Sequence, residues 1–250
     1  MDSKENIKEN KIYLKGMLYS EPVIKKNLKS QGEYANILIE SSIHKDGKDF
    51  SYFNSITIWE EKFINKISSL HKGDGIEIIG RVYNKKVQEG MKIRNITGIC
   101  VYELNEVKGN FLHENRVELF GRTVDKPNIR NSEKAIYGRA VIAVNNRKSK
   151  AHEGSPDYMS VTLFNDVAES AKSIEKGKWT ECICVLKNTS YKDNNGKNVY
   201  SNELIATEFR QKFWRNKKDL APKNKEIDIS DINYEIEDFA PVEMVDKSFM

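Results

Sequence analysis

Two short stretches carry aromatic rings at a spacing suited to chemistry on flat, unsaturated ligands. In residues 53–59 an extended chain sends Ile56 and Ile58 to one face and Phe53, Ser55, Thr57 and Trp59 to the other. In residues 158–164 the same alternation sets Met159, Val161 and Leu163 opposite Tyr158, Ser160, Thr162 and Phe164. The aliphatic face belongs inside a core. The other face has small polar residues in its middle and a ring at each end, about 20 Å apart by strand rise. Exposed rings make sense where something stacks on them, and nucleobases do so at about 1–3 kcal/mol each. The structural alternative is that the rings pack under a helix or at a subunit interface.

Cations accompany the rings. Residues 188–197 read as a hairpin closed by Asn195-Gly196, presenting Tyr191 beside Lys192 and Lys197. An earlier and shorter hairpin carries Tyr83, Lys85 and Lys86, and the 146–150 loop carries Arg147, Lys148 and Lys150. Rings for base faces and cations for phosphates are what a single nucleic-acid strand requires. The candidate stacking residues are therefore Phe53, Trp59, Tyr158, Phe164, Tyr191 and Tyr83. The candidate phosphate contacts are Lys15, Arg81, Lys85, Lys86, Arg122, Arg139, Arg147, Lys148, Lys150, Lys192 and Lys197. Any one of these lysines taken alone reads as a solvated surface residue.

Catalytic chemistry finds no comparable footing. His44, His71, His113 and His152 fall in expected loops and share no repeat position, and acids do not cluster on the expected strands. Cys182 and Cys184 flank one residue in an apolar run with no second pair to complete a metal clip, and Cys100 stands apart. All three read as buried thiols of a reduced, cytoplasmic chain. No enzyme activity, metal or cofactor is expected.

The elements that must position these residues come from a duplication with a period of about 105 residues. The segment from Asn10 to Gly16 returns as Asn115 to Gly121, with Pro22 matched by Pro127. Tyr34 to Ile39 matches Tyr137 to Ile142, Ser55 to Trp59 matches Ser160 to Phe164, and Lys72-Gly73 matches Lys176-Gly177. Alternation and turn signals predict strands over 11–19, 34–43, 51–59, 75–83 and 91–103, with a helix over 60–70 carrying Phe63, Ile64, Ile67 and Leu70. The second unit repeats the order, with strands over 115–124, 135–145, 156–164, 178–190 and 197–209 and a helix over 166–174. Five strands with a helix between the third and fourth is the OB arrangement of a Greek-key barrel. The expected fold class is mainly β: two tandem OB barrels, over 10–108 and 113–212, then a basic linker over 213–225 and a disordered acidic tail over 226–250.

Charge distribution agrees with this division. The 250-residue chain has a net charge of +4, 31% charged and 38% hydrophobic residues, and no apolar run long enough for a membrane helix. Its polar start, Met1 to Lys11, predicts no secretory signal. Residues 226–250 hold eight acids and one base, a charge of −7, so residues 1–225 carry +11. A basic body with an acidic extension suits a polyanion ligand.

At these residues the sequence resembles the bacterial and phage single-stranded DNA-binding protein family. Val117 to Arg122 through Pro127 resembles the family's opening strand and turn, Ala140 to Arg147 its second strand, Asp157 to Phe164 with the following helix and Lys176-Gly177 its third strand and helix, and Ser190 to Ala206 its final hairpin. The resemblance spans roughly 10–210 and implies base stacking by Tyr158, Phe164 and Tyr191, with Phe53 and Trp59 in the first unit. It also implies a tail that recruits replication and repair proteins, here through Phe239, Asp246 and the Phe249 end, although Lys247 interrupts the acids and no proline adjoins Phe249. Four barrels per assembly, common in the family, would make a homodimer of this chain, with a monomer as the alternative. The expected function is sequence-independent binding and protection of single-stranded DNA in replication, recombination or repair. The competing readings are an RNA-binding barrel or a protein-interaction barrel in a replication or conjugation complex.

Overall fold

The computed structural model describes residues 10–27, 32–45, 47–89, 92–133, 135–145, 156–192 and 198–212. The described chain up to Lys212 lies in one compact unit.

Alternating apolar residues build the strands. Along β1 (Lys11–Leu18), Ile12 and Leu14 are fully buried while their neighbours are not. β2 (Val23–Lys26), β3 (Glu33–Lys45) and β4 (Lys48–Ile58) follow, then α1 (Glu61–Ile67), β5 (Gly75–Glu89) and β6 (Lys92–Val107). The order repeats as β7 (Glu114–Thr123), β8 (Asn128–Asn131), β9 (Ile136–Asn145), β10 (Pro156–Phe164), α2 (Asn165–Ala171), β11 (Trp179–Lys192) and β12 (Asn198–Gln211). Gly73 and Gly177, at φ +92° and +76°, make the turns that follow the helices.

The second half closes into a ring. β7 pairs with β9, β9 with β10, β10 runs parallel to β12, β12 pairs with β11, and β11 returns to β7. This is the connectivity of an OB barrel. The first half follows the same path through β4–β3–β1–β5–β6, but among the described residues no backbone ladder joins β4 to β6. Gly16 and Gly121, matched in the repeat, stand where the opening strand crosses the second one closely. A Cβ at either would sit 2.1 Å from a carbonyl oxygen, of Glu40 or Ala143 respectively. The halves share one continuous sheet, because β1 pairs antiparallel with β7, Ile12 opposite Val117.

Two elements were not expected from the sequence. β2 and β8 are four-residue edge strands after Pro22 and Pro127, each pairing, among the described residues, only with the strand that follows, and four residues are too few to show alternation. The first hairpin, expected to be the shorter, has the longer strands. β5 and β6 span 15 and 16 residues against 14 for each of β11 and β12, and pairing continues to Glu89 opposite Lys92. The stretch Asn84–Glu89 has little apolar alternation, so its pairing rests on backbone hydrogen bonds that sequence pattern does not reveal.

Candidate nucleic-acid interface

The two ring-bearing strands divide their faces as alternation demands. On β4, Ile56 and Ile58 are buried, while Phe53, Ser55, Thr57 and, just beyond the strand, Trp59 are exposed. On β10, Met159, Val161 and Leu163 have no exposure, Tyr158, Ser160 and Thr162 are half-buried, and Phe164 is exposed. Trp59, at 55% exposure, is the most open ring of the set. It precedes α1 without being covered by it.

Phe53, Trp59 and Phe164 each have an aromatic residue beside them that the sequence reading did not single out. Tyr19 meets Phe53 edge to face with centroids 4.9 Å apart, and Lys72 lies over Tyr19 at 5.9 Å. Tyr34 lies against Trp59, centroids 4.8 Å apart and planes 30° apart. In the second half Tyr137 is the registered cross-strand partner of Phe164, both 36% exposed. Tyr34 and Tyr137 share a repeat position, so a pair search across the two units would have found them. The Tyr19 and Tyr34 contacts hold Phe53 and Trp59 in place before any ligand arrives, which lowers the entropic cost of stacking.

Tyr83 is half-buried and lies across the β6 backbone, because a Cβ on its partner Gly98 would meet the ring at 2.6 Å. Burial pushes its hydroxyl pKa up, the nearby Cys100 thiol adds to this, and Arg81 opposes it. Tyr191 and Lys192 end β11, opposite Val199 and Asn198, and Lys85 and Lys86 lie on β5 opposite Ile96 and Asn95. Arg147, Lys148, Lys150, Lys197, Phe239, Asp246 and Phe249 lie outside the described residues.

The remaining cations are engaged within the protein. Lys15 pairs with Glu77 at 2.7 Å, and that hydrogen bond raises its pKa against the opposing effect of burial. Arg81 reaches from the first half to the second, its Nη1 2.9 Å from Asp157 Oδ2. Arg122 lies over the Trp179 ring at 4.9 Å, and Trp179 stacks on Phe120. Arg139 donates to Ser160 Oγ. Burial lowers its pKa, and the nearby Glu203 carboxylate works the other way. Asn84 donates to the Tyr158 carbonyl, so β5 of the first half lies beside β10 of the second. Arg81 with Asp157 and Asn84 with the Tyr158 carbonyl thus join the two halves at this point.

A closed ring of β7, β9, β10, β12 and β11 with exposed rings on its outer face makes this an OB-type β-barrel protein. Residues 114–211, in the second half of the chain, match the model of the single-strand binding protein family. Solved structures extend the fold match across both halves. The wild-type single-stranded DNA binding protein from Thermus aquaticus superposes with a TM-score of 0.65 at 16% identity, covering 89% of this chain and 98% of that one. A deletion mutant of the same protein gives 0.65 and 16%, covering 86% and 98%. A Plasmodium falciparum SSB complex with ssDNA matches at a TM-score of 0.35 and 21% identity, over 43% of this chain and all of that one. No curated protein matches the chain at the level of sequence.

Proposed function

We propose that the chain binds single-stranded DNA without sequence preference, along the outer faces of β4 and β10. The observation that carries this is the exposed ring row, Phe53 and Trp59 on one half and Phe164 on the other, opposite a buried face that holds Ile56 and Ile58 on β4 and Met159, Val161 and Leu163 on β10. The family match over 114–211 and the Thermus aquaticus fold likeness support the same reading. In it, residues 10–108 and 113–212 act as tandem OB domains. Lys85, Lys86, Arg147, Lys148, Lys150, Lys192 and Lys197 supply phosphate contacts, whereas Lys15, Arg81, Arg122 and Arg139 chiefly order the protein surface. The 226–250 segment, joined by a basic linker, recruits replication and repair proteins, and two chains assemble to present four barrels in the cytoplasm, at the nucleoid.

Titration of labelled oligo-dT against duplex of equal length tests the reading. Tight binding of the single strand and much weaker binding of duplex are expected, with a site of about 4–16 nucleotides per barrel. Equal affinity for the two would sink it.

A further inference from the structure

The two halves differ where the OB ring should close. In the second half β10 bridges to β12, Val161 opposite Leu204 and Thr162 opposite Ile205. In the first half the corresponding strands, β4 and β6, share no ladder among the described residues. At that seam lies a partly open concavity of about 290 Å³, lined by Thr57, Ile58, Trp59 and Glu60 on one side and Arg81, Tyr83, Ile99, Cys100 and Val101 on the other, with Phe63 of α1 beside them. Its size is at the lower end for small-ligand sites, enough for one flat ring system.

The lining says which part of a nucleotide fits. Ile58, Phe63, Ile99 and Val101 are buried and apolar. Trp59 adds an exposed ring, and Tyr83 lies flat on the sheet. The positive charge of Arg81 is already committed to Asp157, and the Glu60 carboxylate is paired with Lys62 at 3.1 Å. A concavity with aromatic and aliphatic walls, whose lining charges Arg81 and Glu60 are already paired, suits an uncharged planar group. It also opens beside Thr57 and Trp59, on the outer face assigned above to the strand.

We propose that this seam is a nucleobase pocket: one base of the bound strand leaves the outer-face stack and inserts between β4 and β6 of the first half, against Trp59, Tyr83 and Cys100. In the second half the β10–β12 bridge spans the equivalent seam. The proposal rests on the single-strand reading, and its test separates the two.

Cys100 is the reporter, because it is half-buried while Cys182 and Cys184 are fully buried. Native full-length protein is treated with a thiol-alkylating reagent, free and saturated with oligo-dT, and the modified residue is mapped by mass spectrometry. Cys100 labelling is expected to slow about tenfold or more with oligo-dT bound, as a stacked base must leave before the thiol is reached. Oligonucleotides containing 5-iodouracil should photo-crosslink to Tyr83 or Cys100, beyond the outer-face ring of Trp59, which separates insertion from mere covering of the mouth. Protein alkylated at Cys100, its fold checked by circular dichroism, should bind oligo-dT about tenfold more weakly. If oligo-dT binds but labelling is unchanged, crosslinks fall only elsewhere, or the alkylated protein binds as before, the pocket is overturned and the strand-binding reading stands. If oligo-dT does not bind at all, the strand-binding reading fails and the pocket falls with it.

Discussion

Asn115 grips the backbone of Leu186 with both ends of its amide: Nδ2 donates to the Leu186 carbonyl at 2.8 Å, and the Leu186 N–H donates to Oδ1 at 2.9 Å. The β7–β11 ladder ends two residues short of this pair, at Val117 opposite Cys184, so the side chain continues the sheet where the main chain departs. Asn10 does the same to Val82 in the first half, at 2.7 and 3.1 Å, just past the last β1–β5 pair at Ile12 and Gly80. The repeat that begins Asn10-Lys-Ile and Asn115-Arg-Val therefore preserves a structural clamp.

Asn115 is 3% exposed, and removing it leaves a buried carbonyl and N–H without their partner. Asn115→Ala should cost about 1–3 kcal/mol of stability in urea denaturation, with Asn10→Ala costing less because its bonds are only partly buried. An Asn115→Ala protein as stable as the parent would show that the clamp contributes nothing.

A second prediction comes from comparing the cores of the halves. Asn54 and Ser41 have no exposure, and among the described residues neither Asn54's amide atoms nor the Ser41 hydroxyl has a hydrogen-bond partner. The equivalent positions of the second half hold Met159 and Val144, both buried. Unpaired polar groups in such a place are destabilising. The double change Asn54→Met with Ser41→Val should raise stability by about 1–3 kcal/mol. A lowered melting temperature would instead mean that these polar atoms are structurally required.

The ring row gives a third. Phe53→Ala and Tyr158→Ala should each weaken oligo-dT binding by about 1–3 kcal/mol while thermal unfolding stays close to that of the parent. Phe53 is exposed and its loss frees only the edge contact with Tyr19. Unfolding by either change, without a separate loss of binding, would make the ring part of the core.

Strand order, helix position and the outward face of β4 and β10 were legible in the sequence because each depends on local alternation, and the duplication let one unit check the other. Partnership across the fold was not legible. Arg81 looked like a free cation until Asp157, 76 residues away, was found beside it. Lys15 was absorbed by Glu77 and Arg122 by the Trp179 ring in the same way. The open seam was invisible as well: Ile99 and Leu204 have the same hydrophobic character, and whether a β4–β6 or β10–β12 ladder forms depends on how the sheet curls, which pattern alone does not specify.

The last prediction concerns the acidic end. Residues 226–250 carry −7 and residues 1–225 carry +11, so this segment and a DNA backbone are both polyanions attracted to one basic body. Removing the segment should raise affinity for oligo-dT at low salt, since a tethered competitor is lost. The gain should shrink as salt rises, because screening weakens the competitor's hold on the body. Full-length protein and a 1–225 truncation, each titrated at two salt concentrations, make the comparison. Binding of any partner that uses Phe249 should disappear with the truncation, while the change in strand affinity is read independently of it. If truncation lowers affinity at both salt concentrations, residues 226–250 contribute to the strand-binding surface and do not compete for it.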